Sequence, residues 1–323
     1  MDYPTPRLFC SRCLGFEACR YNNQIIQNSF VEKLKPYVDY VNTCPEVEIE
    51  LGVPRDPIRI IRKEGNDRLV QPSTDNDYTE EMNSFCTNYL EDLGEIDGFI
   101  LKADSPSCGP KNVKIYPKKE KAAPIAREDG FFARHVMDRY SHLAIEDEKR
   151  LNNAAIKHHF LTKIFTLASF REVKKSKDIN DLIDFHSRNK FLLKAYSQKI
   201  MREMGNIAAN KEGKDIKIIL EEYETALWQA FKKGQNYKSI INVLENSLGY
   251  FSDYLNKQEK NLFLNTIEMY EEGRSSLNEC FGILKSWIAR FDQDYLKKQT
   301  FFNPYPEELV ELTECATRRD YWK

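Results

Sequence analysis

The sequence lacks long apolar runs, and none approaches the about eighteen consecutive apolar residues that a membrane-spanning helix needs. Its start, M-D-Y-P-T-P-R, has no apolar core of the kind found in secretory signal peptides. Repeats and low-complexity tracts are absent, glycine and proline number only 13 each, and the formal net charge is −2. From the missing apolar runs we expect neither an integral membrane protein nor secretion by the usual route. At 323 residues and 41% hydrophobic, the chain is expected to be a cytoplasmic protein of two domains.

The common metal-binding patterns are also missing. Cys10 and Cys13 form one C-x-x-C, but neither a second pair nor the five histidines supply the rest of a zinc site. The closely spaced cysteine runs of ferredoxins do not occur, and neither does the C-x-x-x-C-x-x-C of radical enzymes that use S-adenosylmethionine. A metal site would therefore have to draw its cysteines from separated loops.

Two kinds of hydrophobic pattern divide the chain. Up to about residue 140, short apolar runs alternate with helical stretches, which is typical of an α/β, Rossmann-like domain with a mostly parallel sheet. The pattern predicts strands at 7–11, 38–43, 98–102 and 113–116, helices at 29–37, 78–93 and 130–140, and an inserted hairpin formed by 57–62 and 67–72. From Glu148 the period becomes helical and predicts seven or eight helices. We therefore expect an α/β domain over 1–147 and an all-helical domain over 148–323.

Three separated cysteines stand near the ends of predicted strands or in the loops that follow them. They are Cys13 in F-C-S-R-C-L-G, Cys44 in N-T-C-P-E, and Cys108 in D-S-P-S-C-G-P. If the strands are neighbours, the thiolates meet at the carboxyl edge of the sheet, where open α/β sheets bind ligands. Three protein thiolates suit an iron-sulfur cluster with one iron open to substrate.

Polar residues accompany these thiols. Glu46 stands two residues after Cys44, where a carboxylate can take a proton from water, and Ser105 and Ser107 offer hydroxyl groups beside Cys108. A structural metal site has no need of such groups, so they favour catalysis.

The helical half carries the basic residues. Residues 157–217 contain 14 Lys and Arg against 7 Asp and Glu, and Lys190, Lys194 and Arg202 belong to a spaced series within this stretch. The two interpretations are a solvated helix face and a nucleic-acid footprint. We take these three residues as candidate RNA-binding residues.

Three motifs together resemble the thiouracil desulfidase (TudS) family. They are C-L-G-F-E-A-C-R-Y-N at 13–22, C-P-E-V-E-I-E-L-G-V-P-R at 44–55 and K-A-D-S-P-S-C-G at 102–109, and the resemblance covers roughly residues 5–145. The remainder resembles the YbgA-type helical domain, through D-F-H-S-R-N-K-F-L-L at 184–193, L-G-Y-F at 248–251 and N-P-Y-P-E-E-L at 303–309. Members with both domains resemble enzymes that remove sulfur from 4-thiouridine in tRNA.

The resemblance implies roles for particular residues. Cys13, Cys44 and Cys108 would hold a 4Fe-4S cluster with one open iron site, and Glu46 and Ser105 match the family's catalytic carboxylate and hydroxyl. Cys10 and Cys19 depart from the commoner family pattern and are alternative ligands. The implied reaction is a non-redox hydrolysis of a thiocarbonyl, with tRNA as substrate and sulfide as product.

Two other functions stay open from the sequence. The chain could act on free thiouracil or thiouridine, or it could be a non-catalytic metal-binding protein that interacts with RNA. Arg20, Arg55 and Lys102 are expected to form exposed ion pairs unless they hold a substrate group. The remaining thiols, Cys86, Cys280 and Cys315, are expected to be buried or idle.

Overall fold

The computed structural model describes residues 3–310 and divides into two compact units. The first unit extends to Ala168 and includes the described residues from Glu308 onward, and the second unit comprises Ser169–Glu307. This division falls inside a long helix, whereas the sequence placed the boundary at 147/148, just before that helix. Cys315 lies outside the described residues.

The first unit holds all the described strands, as the α/β prediction requires. They are β1 (Arg7–Ser11), β2 (Asp39–Thr43), β3 (Arg59–Lys63), β4 (Asn66–Val70), β5 (Gly98–Leu101), β6 (Val113–Tyr116), β7 (Ala126–Glu128) and β8 (Ala144–Asp147). The helices between them are α1 (Ser29–Leu34), α2 (Pro45–Glu48), α3 (Thr79–Asp92) and α4 (Phe131–Tyr140). Strands β7 and β8 and helix α2, each three or four residues long, are not predicted from the sequence.

The first sheet is parallel throughout, in the order β2-β1-β5-β8. Its centre is apolar on both faces, since Leu8, Phe9 and Cys10 of β1 are fully buried and so are three of the four residues of β5. Gly98 opens β5 because a Cβ there would come within 2.8 Å of the Ala144 carbonyl oxygen on β8. The parallel arrangement places the ends of β1, β2 and β5 along one edge.

The predicted hairpin belongs to a second sheet, in the order β4-β3-β6-β7. Strands β3 and β4 pair antiparallel from Lys63 opposite Asn66, and the turn residues Glu64 and Gly65 both have positive φ, at 52° and 82°. Strand β6 pairs parallel to β3 and antiparallel to β7. The hairpin is thus not an insertion into the first sheet, because β6 and β7 complete a separate one.

The helical prediction from Glu148 onward is confirmed. The helices are α5 (Ala154–Ser176), α6 (Ile179–Tyr196), α7 (Gln198–Ala209), α8 (Ile216–Ala230), α9 (Tyr237–Gly249), α10 (Lys257–Glu271), α11 (Leu277–Arg290) and α12 (Asp294–Lys297). Asp178, Asp215, Asn236 and Asn256 each cap a helix with the side chain. Ser197 lies between α6 and α7 and caps α7, since its side chain accepts a hydrogen bond from the Ile200 N–H. Among the described helices, none has the length and apolar character of a membrane span.

Candidate active site

Four cysteines line one cavity of about 750 Å³ at the carboxyl edge of the first sheet. Cys13 lies two residues beyond β1, Cys44 directly follows β2, and Cys108 lies in the loop after β5. These three strands are adjacent and parallel, so the three predicted ligands reach one cavity. The fourth cysteine is Cys19, on the loop that carries Cys13.

The two alternative ligands differ in their surroundings. Cys10 is fully buried on β1 and does not line the cavity. The Cys19 thiol forms hydrogen bonds with the thiols of Cys13 and Cys44, and the Cys44 Sγ also lies 3.7 Å from the Cys19 carbonyl oxygen. Cys19 is therefore within reach of the ligand set, whereas Cys10 is not.

Three of the four thiols, those of Cys19, Cys44 and Cys108, have raised pKa values and are hard to ionise on their own. The hydrogen bond with Cys13 raises the pKa of Cys19 to about 11. The hydrogen bond with Cys19, together with burial, raises the pKa of Cys44, and burial raises the pKa of Cys108 well above its ordinary value. A metal that binds these sulfurs must displace their protons, so loading is expected to release protons.

The donor set fits an iron-sulfur cluster better than a single metal ion. Within residues 3–310, no three His, Cys, Asp or Glu side chains converge as ligands around one ion. A 4Fe-4S cluster does not need that convergence, because each thiolate binds a different iron atom. Cys13, Cys44 and Cys108 would hold the cluster from three separate loops.

Glu46 is fixed by a buried ion pair that the sequence did not reveal. The Arg55 guanidinium lies 2.6 Å (Nη2) and 3.1 Å (Nε) from Glu46 Oε2, and the two side chains are only 3% and 12% exposed. Arg55 Nη1 also donates hydrogen bonds to the carbonyl oxygens of Cys19 and Gly52, at 3.0 and 2.8 Å. The expectation of an exposed pair at Arg55 is therefore wrong: this arginine joins the carboxylate to the cysteine loop.

The second carboxylate oxygen of Glu46 accepts hydrogen bonds from two serines. Ser107 Oγ lies 3.0 Å and Ser105 Oγ 3.3 Å from Glu46 Oε1. Ser105 Oγ in turn accepts hydrogen bonds from the backbone N–H groups of Ser107 and Cys108, at 3.2 and 3.1 Å. The Ser105 hydroxyl thus contacts both the Glu46 carboxylate and the loop that carries Cys108.

The Ser-Pro-Ser-Cys-Gly loop is closely packed, and neither Gly109 within it nor Gly130 against it has room for a side chain. A Cβ on Gly109 would lie 2.6 Å from Val113 Cγ2, and one on Gly130 would lie 2.6 Å from the Ser107 carbonyl oxygen. At the start of α4, the Phe131 N–H donates to the carbonyl oxygen of Pro106 at 3.0 Å. The loop therefore presents Ser105 and Cys108 from a fixed backbone.

Lys102 is also buried rather than exposed. Its Nζ lies 2.6 Å from Glu148 Oε1, and the two side chains are 14% and 8% exposed. The other oxygen of Glu148 accepts a hydrogen bond from the Ala103 N–H at 2.7 Å. This pair holds the backbone that leads from β5 to Ser105. Arg20, in contrast, lies over the ring of Tyr21, 5.4 Å from its centroid, as a cation on the cavity wall.

The three candidate RNA-binding residues lie in the second unit. Lys190 and Lys194 of α6 and Arg202 of α7 line a cavity of about 270 Å³ together with Gln198 and Tyr250. Burial and the neighbouring charges of Arg202 and Lys190 lower the pKa of Lys194. The structure therefore brings these three cations around one concave surface.

Two of the histidines and two of the remaining thiols have structural surroundings. His186 Nδ1 lies 3.0 Å from the Tyr223 hydroxyl, and His135 Nε2 lies 3.1 Å from Asn83 Oδ1. Cys86 and Cys280 are fully buried, as expected for idle thiols. The partners of Glu46 that the sequence undervalued are Arg55 and Ser107. Their only signal is their place inside the motifs at 44–55 and 102–109.

Comparison with known proteins identifies the first unit. The family model described as 2-thiouracil desulfurase matches residues 8–148. The uncharacterized protein YbbK of Bacillus subtilis (strain 168) is 33% identical over 109 residues, which are 32% of this chain and 72% of YbbK. The chain belongs to the 2-thiouracil desulfurase family. Membership supports desulfurase activity on a thiolated pyrimidine.

The helical part has its own relatives. The model described as a protein of unknown function, DUF1722, matches residues 190–306. The uncharacterized protein YbgA of Escherichia coli (strain K12) is 24% identical over 151 residues, 46% of this chain and 89% of YbgA. This desulfurase-family chain therefore carries a YbgA-type domain after its first unit, as the sequence motifs indicate.

One solved structure is also similar, that of the [4Fe-4S]-dependent thiouracil desulfidase TudS. TudS is 24% identical to this chain, and the match covers 46% of this chain and 94% of the TudS chain, with a TM-score of 0.36. That score is too low to support a conclusion about this chain.

Proposed function

We propose that this desulfurase-family protein hydrolyses the thiocarbonyl of 4-thiouridine in tRNA, giving uridine and sulfide without net electron transfer. The observation that carries the proposal is Glu46, a carboxylate held by Arg55, Ser105 and Ser107 in the same cavity as four thiols. A structural metal site requires thiolates alone. A fixed carboxylate beside them is what the activation of water requires.

The residues have distinct roles in this reaction. Glu46 takes a proton from the attacking water, whose oxygen forms the new bond to C4 of the base, and the C–S bond then breaks as the carbonyl forms. Sulfur leaves as sulfide and the water oxygen becomes O4, so no electrons are gained or lost. A bound 4Fe-4S cluster with an open iron would supply a Lewis acid for the thiocarbonyl sulfur.

Arg55 and the serines keep the base in a working geometry. The guanidinium neutralises one oxygen of Glu46 and leaves the other facing Ser105 and Ser107. When the carboxylate takes a proton on that oxygen, Ser105 can turn its hydroxyl to stabilise or relay the proton toward the departing sulfur. Arg55 is a positioning residue, since it acts through Glu46.

The charge of the cavity supports an RNA substrate over a free base. Eight cationic side chains line it, Arg12, Arg20, Arg55, Arg59, Lys102, Lys114, Arg127 and Lys149, against two carboxylates, Glu46 and Asp104. A neutral base gains little binding energy from a positively charged cavity, whereas the negatively charged phosphodiester chain of an RNA is attracted to it. The cations around the second cavity, Lys190, Lys194 and Arg202, support the same conclusion for the helical unit.

The direct test is anaerobic reconstitution with iron and sulfide, followed by incubation with 4-thiouridine-containing tRNA and, separately, with free thiouracil. We expect the thiocarbonyl absorbance to fall as sulfide appears, faster with tRNA, and Glu46→Gln and Cys108→Ala to abolish both signals. Full activity with zinc in place of iron would contradict the proposal. Activity on thiouracil alone would show that the substrate is the free base.

A second test addresses tRNA binding by the helical unit. Charge reversal of Lys190, Lys194 and Arg202 should weaken tRNA binding strongly and reduce its dependence on salt. The matched control reverses Lys211, Lys217 and Lys233, three exposed cations of the same unit that do not line the cavity. Equal losses in both triple variants, or binding unchanged between low and moderate salt, would refute this role.

A further inference from the structure

Cys19 is the cavity thiol that has no task in the proposed function. It lies on the loop that carries Cys13 and is 2% exposed. Its thiol forms hydrogen bonds with the thiols of Cys13 and Cys44, and its carbonyl oxygen lies 3.7 Å from Cys44 Sγ. The other described thiols outside the proposed ligand set are fully buried and do not line the cavity: Cys10, Cys86 and Cys280.

The backbone on both sides of the contact between Cys19 and Cys44 is held by hydrogen bonds. Arg55 Nη1 donates a hydrogen bond to the Cys19 carbonyl oxygen at 3.0 Å. At the start of the same loop, the Arg12 N–H donates to the carbonyl oxygen of Thr43, the residue before Cys44, at 3.1 Å. The path of the loop therefore keeps the two thiols next to each other.

Access to solvent differs among the four cavity thiols. Cys44 is half-buried, whereas Cys13, Cys19 and Cys108 are only 8%, 2% and 5% exposed. Arg55 Nη2 lies 4.0 Å from Cys44 Sγ, so a thiolate that forms there faces a cation. A thiol-reactive molecule that enters the cavity therefore meets Cys44 first, and Cys44 has Cys19 as its hydrogen-bonded neighbour.

This arrangement is that of a reactive cysteine beside a resolving cysteine. Redox-sensitive cysteines are accessible, and they often lie next to a second thiol that converts the oxidised sulfur into a disulfide. A disulfide protects the sulfur from irreversible oxidation and is reversed by thiols. While Cys44 binds iron its sulfur is occupied, so the reaction belongs to the chain without its cluster.

We propose that Cys19 and Cys44 form a reversible disulfide when the cluster-free chain meets a small-molecule disulfide such as oxidised glutathione. The Cys44 sulfur attacks the oxidant, which gives a mixed disulfide and releases one small thiol. The Cys19 sulfur then attacks the Cys44 sulfur and releases the second small thiol. The two protein thiols lose two electrons and two protons, which the two sulfurs of the oxidant take up.

The consequence is control over loading of the site. The disulfide withdraws Cys44, one of the three proposed cluster ligands, until a thiol reduces it again. This consequence rests on the proposed function, because it takes Cys44 as a ligand. The disulfide itself depends only on the contact between the two thiols.

The test uses the full 323-residue chain, freed of iron, reduced and then incubated anaerobically with oxidised glutathione. Free thiols are alkylated and the chain is cut with trypsin. Cys13 and Cys19 share one tryptic peptide, 13–20, whereas Cys44 lies in another. We expect mass spectrometry to find the two peptides joined, with Cys13 alkylated. A link closed within 13–20, a link from Cys13 to Cys44, or no link overturns the proposal.

Two variants separate this disulfide from unspecific oxidation. Cys19→Ser should lose the link and keep Cys44 as a mixed disulfide with glutathione. The matched control is Cys280→Ser, which removes a buried thiol whose Sγ lies 3.9 Å from the Thr266 carbonyl oxygen, and it should keep the link. Loss of the link in both variants would contradict the assignment to Cys19.

Iron uptake gives a second readout. After oxidation, the wild-type chain should lose most of its iron uptake in a reconstitution without added thiol, and a dithiol reductant should restore it. Reduced Cys19→Ser should take up as much iron as the reduced wild-type chain, which also shows that the variant folds. Loss of iron from reduced Cys19→Ser would make Cys19 a cluster ligand and overturn the proposal. Equal uptake by the oxidised and reduced wild-type chain would do the same.

Failure of the proposed function gives a different result, because the link is measured without substrate. A link between Cys19 and Cys44 in a chain whose reduced, loaded form releases no sulfide would refute the hydrolysis and leave the disulfide standing. Sulfide release by the loaded chain, with no link after oxidation of the cluster-free chain, would refute the disulfide and leave the hydrolysis standing.

Discussion

Replacing Arg55 with methionine tests whether one buried ion pair holds the base to the cysteine loop. The change removes the guanidinium from Glu46 Oε2 and deprives the Cys19 and Gly52 carbonyl oxygens of their donors. Burial alone would lower the pKa of Arg55, but the Glu46 carboxylate and the Cys44 sulfur outweigh it and raise that pKa. Methionine fills similar space without charge, so the loss is electrostatic.

The expected magnitude follows from the exposure of the pair. Removing one partner of a buried pair costs about 3–5 kcal/mol. Because Glu46 is 12% exposed and keeps two serine hydroxyls, we place the loss near the lower limit, about 3 kcal/mol of local unfolding free energy. Glu46→Gln/Arg55→Met leaves no stranded charge, so it should recover about 2 kcal/mol of that loss.

The assay is native-state hydrogen exchange of the iron-free chain, followed in peptides that contain β1 and β2. A whole-chain melting curve is unsuitable, since two units need not unfold together. The matched control is Arg150→Met, which breaks a 2.6 Å pair with Glu146 in which the arginine is 47% exposed, and it should cost about 0.5 kcal/mol or less. Equal protection in Arg55→Met and Arg150→Met, or simple additivity in the double variant, would refute the reasoning.

Three further predictions follow from the same contacts. Cys108→Ser should lose most of the bound iron and acid-labile sulfide, whereas Cys10→Ser should retain both, because Cys10 does not line the cavity; iron and sulfide analysis after reconstitution decides this. Gly109→Ala should slow desulfuration and speed hydrogen exchange of the Cys108 loop, because its Cβ would meet Val113 at 2.6 Å, while Gly234→Ala, with open space around it, should do neither. Burial lowers the pKa of His186 from 6.5 to about 4, so the unfolded chain takes up the proton first as pH falls. The helical unit should therefore lose stability between pH 6.5 and 4, and His186→Gln should reduce that loss in a pH series of hydrogen exchange.

The cavity could be foreseen from the sequence because its cysteines follow strands whose order is simple. Cys13, Cys44 and Cys108 come after short apolar runs, and a parallel sheet brings the ends of such runs to one edge. Glu46 and Ser105 are adjacent in sequence to these cysteines, so their place followed from the same argument. Local sequence was therefore sufficient to predict the positions of those cavity residues that follow the ends of strands.

Arg55 could not be foreseen, because its position depends on the path of the chain after α2. It lies nine positions after Glu46, and the chain returns through a loop in which Glu50 and Gly52 both have positive φ, at 63° and 75°. The sequence shows that an arginine is charged, but it does not show which partner the arginine contacts when an irregular loop sets its position. The pairing of β6 with β3 could not be foreseen for a similar reason, since it joins residues 55 positions apart, as at Ile60 and Ile115.

Arg55 links the loop that carries Cys19 to the Glu46 carboxylate. One nitrogen holds the carbonyl oxygen of Cys19, next to the thiols, and another holds Glu46. Any movement of the cysteine loop when metal binds must therefore pull on the guanidinium, and through it on the carboxylate. Loss of this arginine should consequently lower the turnover number more than it changes the Michaelis constant, because it disturbs the position of the base rather than the walls that receive the substrate.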